Sequence, residues 1–149
     1  VVEEHVELVE AFKRGLGGGF LSYEYDAKRR ALKLFVERGA LTKAFELINE
    51  ACGGEYHVTT ITGADLGGDE VEFTYSLWLL PQKLRVMIKT KAPKSDPRLR
   101  SLVSVAPATI LYEREVHEML GVVFEGHPNL ERLFLPEDWP KNFYPLRRK

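Results

Sequence analysis

At 149 residues, with 44% hydrophobic and 29% charged side chains, the chain is sized for one domain around one core of its own. Its formal net charge of -1 excludes a global electrostatic pull toward nucleic acid or an anionic membrane surface. No apolar run reaches the roughly 18 residues of a spanning helix and no signal-peptide pattern opens the sequence, so it reads as soluble, with membrane association only through a partner.

The sequence begins at Val1 rather than Met, which leaves a preceding N-terminal piece open. Val2, Val6, Val9 and Phe12 fall at helical spacing, and Gly15 is placed to end that helix. The run Gly15-Leu16-Gly17-Gly18-Gly19 reads as a turn. As a phosphate cradle it lacks both the following Lys-Ser/Thr and a clear preceding strand. Two β-rich runs then flank Asp26-Ala27-Lys28-Arg29, the pattern of a hairpin. Ala40, Leu41, Ala44, Phe45, Leu47, Ile48 and Ala51 form the next helical stripe, closed by Gly53-Gly54. Cys52, the single cysteine, excludes an internal disulfide and an iron–sulfur cluster held by this chain's own thiolates; beside that stripe it reads as a small packing residue.

Three strands follow in "YHVTTITGAD", "VEFTYSLWLL" and "KLRVMIKTKA". Val71, Phe73, Tyr75, Leu77 and Leu79 alternate with Glu72, Thr74, Ser76, Trp78 and Leu80, and Leu84, Val86 and Ile88 alternate with Arg85, Met87 and Lys89. This is antiparallel patterning with one face wetter than the other. His57, at a strand start, and His5, on a surface helix, read as structural. The order helix, two strands, helix, three strands predicts an α+β fold. The architecture is a two-layer sandwich whose mixed, mostly antiparallel sheet packs on helices. Residues 1–100 form the core, and 101–149 carry a further helix and an extended, proline-rich docking segment, within one structural domain. Pro97 is placed to start a short helical turn through Leu102, and Pro107 the first turn of "PATILYEREVHEML", which Gly121 ends. Ala108, Tyr112, Val116 and Met119 line its apolar stripe, with Glu113, Arg114, Glu115, His117 and Glu118 off it.

Charge is unevenly placed. Residues 1–112 hold fifteen acids and fifteen bases, Glu113 to Asp138 seven acids against two bases, and Lys141 to Lys149 four bases and no acid. Three Asn and one Gln against abundant Lys, Arg and Glu suggest a thermophile. Three readings compete for the C-terminal block. His117 and Glu113, four apart, with Glu118 and His127, are candidate metal ligands for a hydrolase, although Gly121 stands where a zincin helix carries its second histidine. Acid–base catalysis has carboxylates in plenty but no accompanying serine or cysteine nucleophile. The third reading is a docking arm. Pro128, Pro136, Pro140 and Pro145 restrict the backbone, Asn129 can cap a short helix carrying Leu130, Leu133 and Phe134, and a stiffened segment loses less entropy on binding. Trp139 and the arginines are residue types that anchor interfaces. Docking answers the pattern best.

The stretch "YEREVHEMLGVVFEGHPNLERLFLPEDW" closely resembles the signature of the 30 kDa subunit of respiratory complex I, the NADH:quinone oxidoreductase, and of the matching subunits of membrane-bound, energy-converting hydrogenases and related archaeal complexes. Glu113-Arg114-Glu115, Glu118, Met119, Gly121, Phe124, Gly126-His127-Pro128, Arg132, Leu135-Pro136-Glu137-Asp138-Trp139 and Pro145-Leu146-Arg147 carry the match. His117-Glu118 replaces the usual Tyr-Asp and Leu120 the usual Phe. The spacing from Trp139 to Pro145 is longer than the common form and lacks its glycine, and the chain stops without the extension many quinone-reducing members carry. These departures lean toward the hydrogenase-like branch. The resemblance implies a cofactor-free peripheral-arm scaffold on the cytoplasmic face of the cell membrane. It would pack against a large catalytic-type subunit and a small iron–sulfur subunit, whose iron–sulfur and, in some relatives, nickel–iron centres carry electron transfer coupled to ion translocation. The docking residues it implies are Glu113, Arg114, Glu115, Glu118, His127, Pro128, Arg132, Glu137, Asp138, Trp139 and Arg147.

Overall fold

The computed structural model describes residues 4–128. Helix α1 (Glu4–Leu16) passes through a 3-10 turn, Gly17–Gly19, into the hairpin of β1 (Phe20–Asp26) and β2 (Ala31–Val36). Asp26 makes the hairpin turn: its Oδ1 accepts from the backbone N–H groups of Lys28 and Arg29 at 3.1 and 3.3 Å, the Asx-turn chemistry that makes Asp a turn residue. Helix α2 (Leu41–Cys52) leads to a meander of β3 (Tyr56–Asp65), β4 (Glu70–Leu79) and β5 (Leu84–Pro93). A short strand β6 (Arg98–Arg100), helix α3 (Ile110–Leu120, entered through the 3-10 turn Pro107–Thr109) and strand β7 (Val123–Glu125) complete the described chain.

The main sheet runs β1-β2-β5-β4-β3. Its hairpin and meander contacts are antiparallel, while β2 and β5 pair in parallel, Leu32 opposite Val86 and Leu34 opposite Ile88. Parallel neighbours need a long connection, and α2 with the meander supplies it. The α+β class and the mixed sheet packed on helices are therefore as the sequence predicts. The alternation in β4 is borne out residue by residue: Val71, Phe73, Tyr75, Leu77 and Leu79 are fully buried, while the positions between them are partly exposed. Phe45 of α2 meets Tyr75 edge-on at 5.6 Å between centroids.

Several expectations need correction. In α1 the buried residues are Leu8, Val9 and Phe12, and Val6 is exposed. Gly15 does not end α1, which continues to Leu16; a Cβ there would stand 2.7 Å from Leu47, so the glycine lets α1 approach α2. Ala51 is exposed and Cys52 takes the buried place, donating to the Ile48 carbonyl at 3.0 Å. Burial pushes its thiol pKa up, as suits an inert packing residue. Residues 98–100 are strand rather than helix: β6 pairs in parallel with β7, Leu99 opposite Phe124. Arg38 fixes that strand to the start of α2, donating to the carbonyls of Asp96 and Arg98 at 2.8 and 3.1 Å. A three-residue strand cannot be told from a turn by periodicity. His57 is exposed at the edge of β3, and His5 stacks on Tyr25 at 3.6 Å between centroids.

The C-terminal elements share the core. Leu99, Leu102, Ala106, Val116, Leu120, Val122 and Phe124 belong to the same buried cluster as the inward residues of β4 and α2. Helix α3 lies so close to β3 that a Cβ on Gly63 would collide with the Leu120 side chain.

Candidate functional site

Helix α3 starts where Pro107 begins its 3-10 turn, a position that needs no N–H donor. It ends at Gly121, whose left-handed backbone (φ 74°) closes the helix with a hydrogen bond from its N–H to the His117 carbonyl. Both signals agree with the sequence. The buried face does not. Thr109, Glu113, Val116 and Leu120, spaced four, three and four residues apart, form the inward stripe, and Glu118 is also buried. Ala108 is exposed, and Tyr112 and Met119 are only partly covered. Placing Glu113 and Glu118 off the packed face was therefore wrong, because a period count over apolar residues passes over a carboxylate at a core position.

Glu113 is the hub of this region, with 0% of its surface exposed. One oxygen accepts from the Ser101 hydroxyl at 2.6 Å, and the other from the Leu102 backbone N–H at 2.8 Å. These bonds tie α3 to the segment that follows β6. Burial raises the Glu113 pKa above its ordinary 4.5; the two hydrogen bonds and the nearby His127 pull the other way. His127 reaches in from the turn after β7, its imidazole enclosed although its backbone is not. Its Nε2 is 2.9 Å from the Ile110 carbonyl, to which it donates, and 4.0 Å from Glu113 Oε1. The Tyr75 hydroxyl, on β4, is buried without a hydrogen-bond partner among the described residues, and burial, with Glu113 adding, pushes its pKa well above 10. Glu113 stands in the stretch whose resemblance singled it out, but nothing in its local pattern marks it as an inward residue.

The other predicted positions fall in three groups. Arg114 is half-buried and Glu115 exposed on the outer side of α3, near Leu111, which is 52% exposed; Pro128 is exposed beyond β7. Glu113, Glu118 and the His127 imidazole lie inside the fold. Arg132, Glu137, Asp138, Trp139 and Arg147 lie outside the described residues, as do the short helix expected after Asn129 and the docking segment's proline-stiffened course.

The hydrolase reading finds no support. His117 does not join Glu113 and His127: its Nδ1 donates to the Val122 carbonyl at 2.7 Å. Among the described residues no group of three His, Cys, Asp or Glu side chains is gathered to hold a metal. An open groove of about 730 Å³ crosses the other face of the sheet, lined by Phe35, Arg38, Glu72, Lys89 and Lys91 among others. Lys89 pairs with Glu72 there at 3.2 Å, so its charges already offset one another. No described helix is long and apolar enough to cross a membrane.

Residues 34–149 match the family described as "Respiratory-chain NADH dehydrogenase, 30 Kd subunit". The corresponding NADH-quinone oxidoreductase subunit of Acidothermus cellulolyticus is 35% identical over 106 residues, covering 68% of this chain and 52% of that protein. The chain thus spans about half the length of that curated relative. Among solved structures, a chain of the membrane-bound sulfane sulfur reductase, an archaeal respiratory membrane complex, superposes with a TM-score of 0.80 at 24% identity, covering 97% of this chain and 84% of that one. A trypsin-resistant fragment of Nqo5 gives 0.64 at 24% identity, covering 85% of this chain and 99% of the fragment. These two likenesses carry the fold.

Proposed function

This chain belongs to the 30 kDa subunit family of respiratory-chain NADH dehydrogenase, and from that membership we propose that it is a cofactor-free scaffold in the peripheral arm of a membrane-bound, complex-I-like oxidoreductase. It packs beside a large catalytic-type subunit and a small iron–sulfur subunit on the cytoplasmic face. Electron transfer falls steeply with distance between centres, so a protein that holds its neighbours at fixed spacing supports turnover, and the coupled ion translocation, without doing chemistry. Its single thiol, Cys52, is buried against the Ile48 carbonyl and is no cluster ligand.

The observation that carries this reading is the division of labour along the signature. Glu113 and Phe124 point inward and fix α3 and β7, while Leu111 and Glu115 on α3, and Val123 on β7, remain exposed on elements held rigid from beneath. A surface that is ordered before binding loses little entropy when a partner covers it. The stretch from Phe124 to Arg148 supplies the anchor, with Trp139 as its large apolar residue.

Co-purification of the complex, beside thermal melting of the free chain, tests the reading. Trp139→Ala and Arg114→Ala should each release the chain from the complex, with the melting of each free variant compared with that of the unmodified chain. Loss of an anchor of this kind costs about 2 kcal/mol or more, roughly thirtyfold in affinity. Normal assembly of both variants with full activity overturns the docking assignment. If the free variants melt early, the signature serves the chain's own fold.

A further inference from the structure

Two neighbouring turns at one end of the main sheet gather basic side chains that lie outside the signature. Because β2 and β5 run parallel, the turn that enters β2 and the turn that enters β5 stand side by side. Arg30 joins them. Its guanidinium donates to the carbonyls of Gln82 and Lys83 at 2.8 and 3.2 Å, and its own carbonyl accepts from the Arg85 N–H at 3.0 Å. Residues 26–30 and 80–85 hold five bases, Lys28, Arg29, Arg30, Lys83 and Arg85, against one acid, Asp26. All five bases are exposed. Asp26 is taken up by its own turn and by Arg29, its Oδ2 standing 3.8 Å from Arg29 Nε. Glu55 adds one acid at the margin, where its backbone carbonyl accepts from the Leu80 N–H at 3.0 Å. Among the described residues Lys28, Lys83 and Arg85 have no carboxylate within ion-pair distance.

Arg30 and Lys83 are also the two residues other than glycine whose backbones are left-handed among those described, with φ of 48° and 51°. Glycine or asparagine takes that backbone more cheaply, so local folding favours neither base. Arg30 is explained by its bonds from one turn to the other. Nothing in the fold calls for the Lys83 ammonium. The charge also extends past the tips of the turns. Arg85 lies between buried Leu84 and Val86, so it projects from the opposite face of the sheet. Its register partner there is the half-buried Trp78, and Leu80 in the adjoining turn is 41% exposed.

We propose that these two turns form a docking surface for an acidic segment of a partner subunit, one that carries an apolar residue among its carboxylates. Its carboxylates meet Lys28, Arg29, Lys83 and Arg85, and its apolar residue meets Leu80 and Trp78. A flat anionic bilayer touches the tips of turns, whereas a chain segment can bend from the tips onto Arg85 and Trp78 at the side of the sheet. Arg and Trp are also the residue types that anchor protein interfaces. Arg30 sets one turn on the other before any partner arrives, so docking orders little that is not already ordered. Attraction between exposed charges acts mainly on the association rate and fades with salt. The surface is separate from the stretch beyond Phe124, and its test needs no other subunit.

The test is a nitrogen-15 NMR titration of the full chain with two probes: a synthetic peptide carrying four glutamates around a central leucine pair, and vesicles containing phosphatidylglycerol. The peptide should shift the amides of residues 28–30 and 80–85 and the Trp78 indole N–H. Raising salt from about 50 to about 500 mM should weaken it severalfold. Lys28→Gln, Lys83→Asn and Arg85→Gln combined should weaken it about tenfold, the sum of three exposed ion pairs. The same loss of charge elsewhere, Arg14→Gln with Lys43→Gln and Lys91→Gln, should change it less than about twofold. Lys83→Asn alone supplies a residue that tolerates the left-handed backbone, so it should weaken the peptide while the free chain melts no earlier. Shifts spread over lysines far from the two turns overturn the proposal, as does an equal loss in the control variant. So does binding to the vesicles without binding to the peptide, or a Lys83→Asn chain that melts early, which would make Lys83 a residue of the turn itself.

Discussion

Strand β4 and helix α3 both turn one face into the same core, by opposite means. Strand β4 buries Val71, Phe73, Tyr75, Leu77 and Leu79, each completely, and leaves the residues between them partly open. Helix α3 buries Val116 and Leu120 together with Glu113 and Glu118, and places Leu111 outward at 52% exposure. The strand is held by apolar area, which is non-directional and tolerant of repacking. The helix is held by a carboxylate whose two oxygens each have a set partner, Ser101 and Leu102. A directional hub fixes one arrangement and makes it fragile at one residue, whereas the sheet spreads its risk.

The hardest blow to that contrast falls on the hub. Glu113→Ala leaves the Ser101 hydroxyl and the Leu102 N–H without their acceptor and opens a cavity in place of the side chain. With an unsatisfied buried donor costing about 1–3 kcal/mol and a cavity adding to it, the expected destabilisation is about 3 kcal/mol or more. Urea unfolding of Glu113→Ala beside Leu77→Ile in β4, a swap expected to cost less than about 1.5 kcal/mol, measures the difference between the two kinds of packing. Equal losses would mean that the hub is no more directional than the sheet.

The next effect lies where the two regions touch. Gly63 of β3 has no room for a Cβ against Leu120, which is itself 1% exposed. Gly63→Val should push α3 away from the sheet at a cost of about 2 kcal/mol, in the range of overpacked cores. Leu120→Ala in the same chain should recover part of the loss by making room, and the pair of melting curves checks it. No recovery would place the strain in the β3 backbone rather than at the helix contact.

The same contrast explains what the sequence discloses. The meander is legible because apolar and polar residues alternate with the sheet's own period, and the turns at Asp26 and Gly121 because only a few residues make those backbones cheaply. Helix α3 is legible as an element, from Pro107 to Gly121, but not in its buried face, since polarity marks Glu113 as surface. Strand β6 is hidden for another reason. Its pairing with β7 joins residues about 25 apart, and three residues carry no period, so only the fold reveals it. The meeting of His127 with Glu113 is likewise a product of that pairing, while the parting of His117 from them follows from the bond to Val122. The family signature sees these residues as a set without saying which of them face inward.

The smallest expected change in the free chain should be the most informative about the outer side of α3. Leu111 is the exposed large apolar residue of that helix, and a lone exposed leucine on a surface is ordinary. What separates it from an ordinary case is its footing: the turn opposite is pinned by Glu113, two residues on, so Leu111 stands on one of the more firmly fixed parts of the described chain. Leu111→Gln keeps a good helix former and removes only apolar area, so stability should change by less than about 0.5 kcal/mol. If the outer side of α3 is covered in the complex, the same change removes about 1 kcal/mol of burial at the contact, roughly a fivefold loss of affinity. Thermal melting reads the first quantity and competition of wild type against variant for assembly reads the second. Equal incorporation would confine docking to the stretch beyond Phe124 and leave α3 as the internal brace alone; a melting loss of several degrees would show that Leu111 packs on its own chain.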